Sequence, residues 1–180
     1  MIHGKWIPAK TVALITLSIA IGAGLRAAVA IWGKIVPFHW AASKFGLTET
    51  LTFVSGFVFG STAGFVTGAG IIAVADIAMG WAGAWTPFIA AIIGLLGIMG
   101  GLVQRAIKNP GKIVMGLSAI GLTAVSEILQ NLWFSWFFGI PFFMALITGI
   151  PSITMAFVNN FIFFTTVGPF FINLLKKHLK

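Results

Sequence analysis

The sequence has no cysteine, and only 3 of its 180 residues are acidic. Without cysteine, the chain forms no disulfide and offers no thiolate for catalysis or for binding a metal. Charged residues of both signs together make up only 8% of the chain. That is too few to cover the surface of a soluble domain of this length.

Motifs that support catalysis are also missing. The three histidines, His3, His39 and His178, fall in the terminal segments and in a connection, and none is four residues from a carboxylate. The chain has no His-Glu-x-x-His, no Gly-x-Ser-x-Gly and no phosphate-binding Gly-x-x-x-x-Gly-Lys-Ser/Thr sequence. We therefore expect no enzyme activity, no metal and no cofactor, and no hydrolysis of ATP by the chain alone.

Apolar residues fill most of the sequence. Hydrophobic side chains account for 59% of the residues, and the mean hydropathy is +1.07. The net charge is +8, but the basic residues lie at the ends of apolar runs and form no patch interleaved with aromatics. This distribution is typical of the flanks of membrane spans and argues against nucleic-acid binding. The composition predicts one integral membrane domain, residues 1–180, in a lipid bilayer.

The apolar runs predict an all-α protein with six transmembrane helices. A span needs about 20 apolar residues, and the run 51–81 would be about 45 Å long as a single helix. Because Gly60 and Gly64 interrupt it with turn-forming residues, we divide it into two helices. We interpret residues 139–151, with two prolines and two glycines, as a loop or broken segment. The predicted helices cover about 11–32, 49–60, 63–80, 86–107, 113–138 and 152–175.

The positions of the basic residues indicate the orientation. Six helices place eight basic residues on one side and two, Lys34 and Lys44, on the other. The larger group is Lys5, Lys10, Arg105, Lys108, Lys112, Lys176, Lys177 and Lys180. The positive-inside rule then predicts cytoplasmic N- and C-termini for a multi-pass protein of the cell membrane. A five-helix chain with an external N-terminus gives the same count, so only the length and the glycine break of 51–81 favour six.

Polar and aromatic residues gather near the external side of this arrangement. Glu127 and Asn131 lie one turn apart on one helix face, Asp76 lies near the end of the third helix, and Asn159 lies near the middle of the last. Six of the seven tryptophans are external in this arrangement, namely Trp32, Trp40, Trp81, Trp85, Trp133 and Trp136. Since ionisable side chains inside a bilayer are usually functional, this pattern favours an external pocket lined by indoles.

Structural roles for the same residues remain open. The tryptophans could anchor the protein at the membrane interface, and Glu127 with Asn131 could form an interhelical hydrogen bond. Asp76 could pair with Arg26 or cap a helix end. Small residues four apart could pack helices internally or dock the helices of a partner. These pairs are Ala20/Gly24, Ala23/Ala27, Gly56/Gly60, Gly60/Gly64, Gly64/Gly68 and Gly97/Gly101.

A longer segment resembles a known family. The segment from Gly56 to Gly68 reads Gly-Phe-Val-Phe-Gly-Ser-Thr-Ala-Gly-Phe-Val-Thr-Gly, and Asp76 follows in Ala-Asp-Ile-Ala-Met-Gly. This glycine-rich junction before an aspartate, together with Trp85-Thr86-Pro87-Phe88 and Asn159-Asn160, is similar to the substrate-binding S-components of energy-coupling-factor (ECF) transporters. The resemblance extends to the six-helix layout of nearly the whole chain.

The resemblance implies a function and partners. It implies binding of a small water-soluble vitamin or related heteroaromatic precursor for uptake driven by two ATPase subunits through a transmembrane coupling subunit. The implied external pocket contains Trp40, Asp76, Trp81, Trp85, Glu127, Asn131 and Asn159. The implied docking face on the first helix contains Ala9 and Ala13, which match the family's Ala-x-x-x-Ala pattern, and continues through Ala20 and Gly24. The alternative function is a membrane scaffold or assembly factor with no transported ligand.

Overall fold

A computed structural model describes residues 8–35 and 46–179. These residues form six α-helices and no strand, as the all-α prediction required. The helices are α1 Ala9–Ile35, α2 Leu47–Phe59, α3 Ser61–Ala78, α4 Thr86–Ala106, α5 Lys112–Phe138 and α6 Phe142–Leu179. Five of them are long and apolar enough to cross a membrane, whereas α2 has only 13 residues. The chain is therefore a multi-pass membrane protein by the length and composition of its helices.

Gly60 alone connects α2 to α3. Its φ of 99° and ψ of 164° lie in a region that is open to glycine and closed to residues with a Cβ. The two helices fold back on each other. The hydroxyl oxygens of Ser55 and Thr67 lie 2.6 Å apart, and a Cβ placed on Gly64 would lie 2.5 Å from the Cα of Gly56. The predicted division of residues 51–81 into two helices is confirmed.

Glycines allow α2, α3 and α4 to pack with their backbones in contact. A Cβ placed on Gly97 of α4 would lie 2.7 Å from the Cα of Gly64 in α3, and a Cβ on Gly56 of α2 would lie 2.8 Å from the carbonyl carbon of Gly97. We call these three residues the glycine contact. Such close approach increases the van der Waals contact that holds helices together in lipid. For these residues, the small-residue spacing serves internal packing.

The short helix α2 lies at the centre of the bundle. Every residue from Thr50 to Phe57 is buried, and α2 contacts α1, α3, α4 and α6. Phe53 packs against Phe164 of α6 with ring centroids 5.2 Å apart. A core of large apolar side chains surrounds these two rings, including Phe57, Ile72, Leu96 and Met115.

Contacts between the helices define their directions. Gly22 and Arg26 of α1 contact Ile71 and Asp76 of α3, in that order, so these two helices are parallel. Residues Gly46 and Phe53 meet Asn159 and Phe164 of α6, which makes α2 parallel to α6. Met115 and Thr123 of α5 meet Gly168 and Asn160 of α6, which makes this pair antiparallel. Successive helices therefore alternate in direction, and α1 begins at the same end of the bundle at which α6 finishes.

The two ends of the bundle differ in composition. We call one the lysine end. It holds the connections at Gly60 and 107–111 and every basic side chain that the structure describes except Arg26, namely Lys10, Arg105, Lys108, Lys112, Lys176 and Lys177. The opposite end, which we call the tryptophan end, holds the connections 79–85 and 139–141. All four tryptophans with described side chains lie there, namely Trp81, Trp85, Trp133 and Trp136.

The last helix begins ten residues earlier than predicted, so the expectation of a loop over 139–151 is wrong for residues 142–151. Pro151 lies inside α6 and removes one backbone donor. Near the proline, Ser152 donates to the carbonyl oxygen of Gly149 at 3.0 Å, and Thr154 donates to that of Ile150 at 2.9 Å. Membrane helices tolerate proline where neighbouring helices and local adjustments support the freed backbone groups, and α6 packs against α5 and α2.

Candidate functional site

The candidate site lies between the start of α2 and the tryptophan end of the bundle. Gly46, in the left-handed conformation with φ 57°, precedes α2 and packs against the backbone of Asn159. Its neighbour Asn160 donates its Nδ2 hydrogen to Thr123 Oγ1 at 2.8 Å. From Thr123, α5 continues about 22 Å further to Phe138. The α5–α6 hairpin therefore extends beyond the start of α2 by this length, in the direction of the tryptophan end.

Asp76 links three helices near the tryptophan end. It is 2% exposed and lies in the last turn of α3. Thr86, at the start of α4, donates its hydroxyl hydrogen to Oδ2 of Asp76 at 2.8 Å. Arg26 Nη2 of α1 lies 3.4 Å from Oδ1 of the same carboxylate. One carboxylate thus holds α1, α3 and α4 together.

The connection 79–85 is anchored to the backbone of Asp76 and to the side chain of Thr86. The backbone N–H of Trp81 donates to the carbonyl oxygen of Asp76 at 2.8 Å, and the N–H of Gly83 donates to Thr86 Oγ1 at 3.1 Å. The ring of Trp85 packs over Gly83, and a Cβ placed on Gly83 would lie only 2.7 Å from that ring. The backbone carbonyl of Asp76 and the hydroxyl of Thr86 therefore hold the connection that carries both indoles.

The environments of Asp76 and Arg26 are unequal. The side chain of Asp76 is 3% exposed, whereas that of Arg26 is 31% exposed. A buried carboxylate requires hydrogen bonds and a counter-charge, and Asp76 has both. Arg26 has five N–H donors, and its Nε has no hydrogen-bond partner in the part of the chain that the structure describes. Of the two roles left open for Asp76, the pair with Arg26 is formed, with an additional bond to Thr86.

A second polar group lies on α5. Thr123, Ser126 and Glu127 are at most 6% exposed, and Gln130 donates to Ser126 Oγ at 2.7 Å. Asn131 donates its Nδ2 hydrogen to the backbone carbonyl oxygen of Glu127 at 2.8 Å. The predicted common face of Glu127 and Asn131 is therefore present. This face continues from the level of α2 towards the tryptophan end.

Across from this face, α6 contributes two asparagines. Asn160 is 5% exposed, and its Oδ1 has no hydrogen-bond partner among the described residues. Asn159, the predicted site residue, is half-buried and contacts Gly46 through its backbone. The structure thus adds Asn160 to the polar residues between α5 and α6. The Asn-Asn sequence indicated the position, but the rotation of α6 decides which amide faces Thr123.

Aromatic rings join the two polar groups. Phe88, two residues after Thr86, packs against Trp133 of α5 with ring centroids 5.5 Å apart. Trp133 also stacks on Phe137 at 5.0 Å, and its indole N–H is buried with no acceptor in the described residues. Trp81 and Trp85 are 39% and 42% exposed. The tryptophan end therefore combines indole surface with the buried Asp76 carboxylate, and the buried Glu127 carboxylate lies about 16 Å before the end of α5.

The predicted site residues fall into two groups. Asp76, Trp81 and Trp85 belong to the first, and Glu127, Asn131 and Asn159 belong to the second, while Trp40 lies outside the described residues. The predicted docking residues Ala9, Ala13, Ala20 and Gly24 are all exposed along α1. A Cβ placed on Gly24 would meet nothing within 4 Å. Among the described residues, no three His, Asp or Glu side chains come together as a metal site would require.

No protein-family model, no curated protein and no solved structure matches the chain. The fold defines the class of an α-helical multi-pass membrane protein. Within that class, the distinguishing features are a short central helix, buried carboxylates towards the tryptophan end and basic residues at the opposite end.

Proposed function

We propose that this protein is the substrate-binding membrane subunit of an importer of the energy-coupling-factor type. It binds a small water-soluble vitamin or a related heteroaromatic precursor at the tryptophan end. The observation that carries the proposal is that both buried carboxylates, Asp76 and Glu127, lie towards the same end as the four described tryptophans. Ionisable groups are costly inside a bilayer, and their retention at one end favours a binding role.

The side chains indicate the chemistry of the ligand. Indole rings offer flat apolar surface with a polar edge, which suits stacking on a planar ring. The Glu127 carboxylate accepts hydrogen bonds only, so it pairs with a cationic group or a ring N–H. A mostly apolar site with a few fixed polar groups is the usual design for small-molecule recognition.

Charge asymmetry supports an external position for this site. The described basic side chains lie at the lysine end with the single exception of Arg26. The positive-inside rule places that end in the cytoplasm, together with both ends of the chain. The tryptophan end then faces the exterior of the cell membrane, where an importer must capture its substrate.

The sequence has no phosphate-binding loop, so transport driven by ATP requires partners that hydrolyse it. We assign ATP hydrolysis to two ATPase subunits and its transmission to a transmembrane coupling subunit. The exposed small residues of α1, Ala9, Ala13, Ala20 and Gly24, are the docking face in this proposal. Small side chains let a partner's helix approach closely in lipid.

The same exposed face favours the second candidate, a membrane scaffold or assembly factor. A scaffold would use α1 for binding other membrane proteins and would need no ligand at the tryptophan end. The two functions therefore differ in one measurable property, the presence of a bound small molecule.

Purification followed by untargeted mass spectrometry distinguishes them. We expect a small metabolite to co-purify with the wild-type protein. Glu127→Gln should lower the affinity for this metabolite roughly tenfold to hundredfold, since a hydrogen bond to a charged group contributes about 1.5–3 kcal/mol. Gln104→Glu, on α4 near the lysine end, makes the opposite exchange away from the site and should leave metabolite binding unchanged. Absence of any bound metabolite from the wild-type protein would favour the scaffold.

A further inference from the structure

A groove at the lysine end lies outside the proposed ligand site. It has a volume of about 340 Å³ and runs between α1 and α6, with α2 as its floor. Leu14 and Leu17 of α1 and Phe171 and Leu174 of α6 form its walls, while Leu51 and Val54 of α2 form the floor. Leu17 is 54% exposed and Leu174 is 37% exposed, so the groove is open to the surrounding lipid.

Lysines mark one end of this groove. Lys10 lines it directly. Lys177 is exposed and follows Leu174 by three residues, which places both on one face of α6. The groove therefore combines an apolar channel with one lining ammonium group, and a second lysine follows its wall on α6 where the helices reach the lysine end. An acyl chain attached to an anionic head group has the complementary distribution of apolar surface and charge.

The groove suits a thin apolar occupant, because its lining on α1 is a single row of side chains. A helix is about 10 Å wide. A single hydrocarbon chain is much thinner and can follow the row from Leu14 to Ile21. The docking residues Ala13, Ala20 and Gly24 lie on the neighbouring face of α1.

We propose that this groove binds an anionic phospholipid, with one acyl chain against Leu51 and Val54 and the phosphate near Lys10 and Lys177. Basic pockets between membrane helices bind anionic head groups through such lysines. The proposal does not depend on the proposed importer function, because it uses no residue of the tryptophan end.

Native mass spectrometry of the detergent-purified protein with added phosphatidylglycerol or phosphatidylcholine tests this site. We expect preferential retention of phosphatidylglycerol, and we expect Lys10→Gln to weaken it by about fivefold, the factor for one lysine near an anionic head group. Lys108→Gln is the matched control, because it removes the same charge at the same end outside the groove. Equal retention of both lipids, or equal effects of the two variants, would overturn the proposal.

A second variant tests the apolar channel independently of charge. Leu17→Trp adds bulk to the groove at an exposed position, so it should lower phosphatidylglycerol retention while the thermal unfolding midpoint stays unchanged. Leu102→Trp on α4, which is 42% exposed, is its control. Unchanged lipid retention in Leu17→Trp would contradict occupation of the groove by an acyl chain. The same conclusion would follow if Leu17→Trp lost a bound partner protein and kept its lipid.

Discussion

At the scale of single residues, the two buried carboxylates have different surroundings. Asp76 accepts a bond from Thr86 and faces Arg26, so it has a structural role whether or not a ligand binds. Glu127 lies on a polar face of α5 with Ser126, Gln130 and Asn131. The proposed ligand specificity therefore depends mainly on Glu127.

The ion pair predicts an asymmetric response to mutation. Arg26→Gln leaves a charged carboxylate that is 3% exposed, so it should lower the free energy of unfolding by about 3 kcal/mol. Asp76→Asn should cost less, because Arg26 is 31% exposed and can turn towards polar groups. In thermal unfolding, the double variant should be more stable than Arg26→Gln alone. Losses that simply add would show that the two residues are not coupled.

The sequence allowed some of this site to be predicted. Asp76, Glu127 and Asn131 were identified because polar residues stand out in apolar helices, and the spacing of four placed the last two on one face. Thr86 could not be assigned to Asp76, since that depends on how the connection 79–85 folds back. The buried position of Asn160 could not be separated from that of Asn159, because it depends on the rotation of α6.

At the scale of helices, glycine decides how closely α2, α3 and α4 approach. Gly64→Ala would place its Cβ 2.5 Å from the Cα of Gly56, so the backbones must separate. We expect a loss of about 1–3 kcal/mol, the usual cost of overpacking, measured by thermal unfolding. Gly121→Ala on α5 is the control, because a Cβ there meets nothing within 4 Å. Equal losses in both variants would contradict the role of the glycine contact.

The backbone conformation of Gly60 leads to a separate prediction. A Cβ on Gly60 would meet nothing within 4 Å, but its φ of 99° excludes other residues. Gly60→Ala should therefore lower stability by about 1–3 kcal/mol through backbone strain. Gly111→Ala, whose φ is −73° and whose Cβ also has open space, should have little effect in the same unfolding assay. A neutral Gly60→Ala would argue against the single-residue turn.

The sequence correctly predicted the helix break at Gly60, but it did not predict that the last helix continues through Pro151. The Gly60 turn follows from the conformational freedom of glycine together with the excessive length of residues 51–81. The loop predicted for residues 139–151 was wrong for residues 142–151, because α6 continues through Pro151 while packed against α5 and α2. Membrane helices tolerate proline where their surroundings support the freed backbone groups, so proline content alone does not predict a break.

At the scale of the whole molecule, alternating helices separate the described basic side chains, apart from Arg26, from the four described tryptophans. Because the chain has no cysteine, single-cysteine variants report orientation without background. Ala82→Cys lies at the tryptophan end and Asn109→Cys at the lysine end, and both positions are exposed. In intact cells, a membrane-impermeant maleimide should label the first variant and not the second. The reverse pattern would place the proposed ligand site in the cytoplasm and rule out capture of an external substrate.

Uptake of the co-purified metabolite tests the central claim most directly. The measurement compares cells of the source organism that lack the native gene and carry either the wild-type protein or Glu127→Gln at equal protein levels. We expect accumulation that requires cellular ATP with the wild-type protein and a large loss with Glu127→Gln. Equal accumulation with both proteins, or accumulation that persists after ATP depletion, would contradict an ATP-driven importer whose substrate is bound by Glu127.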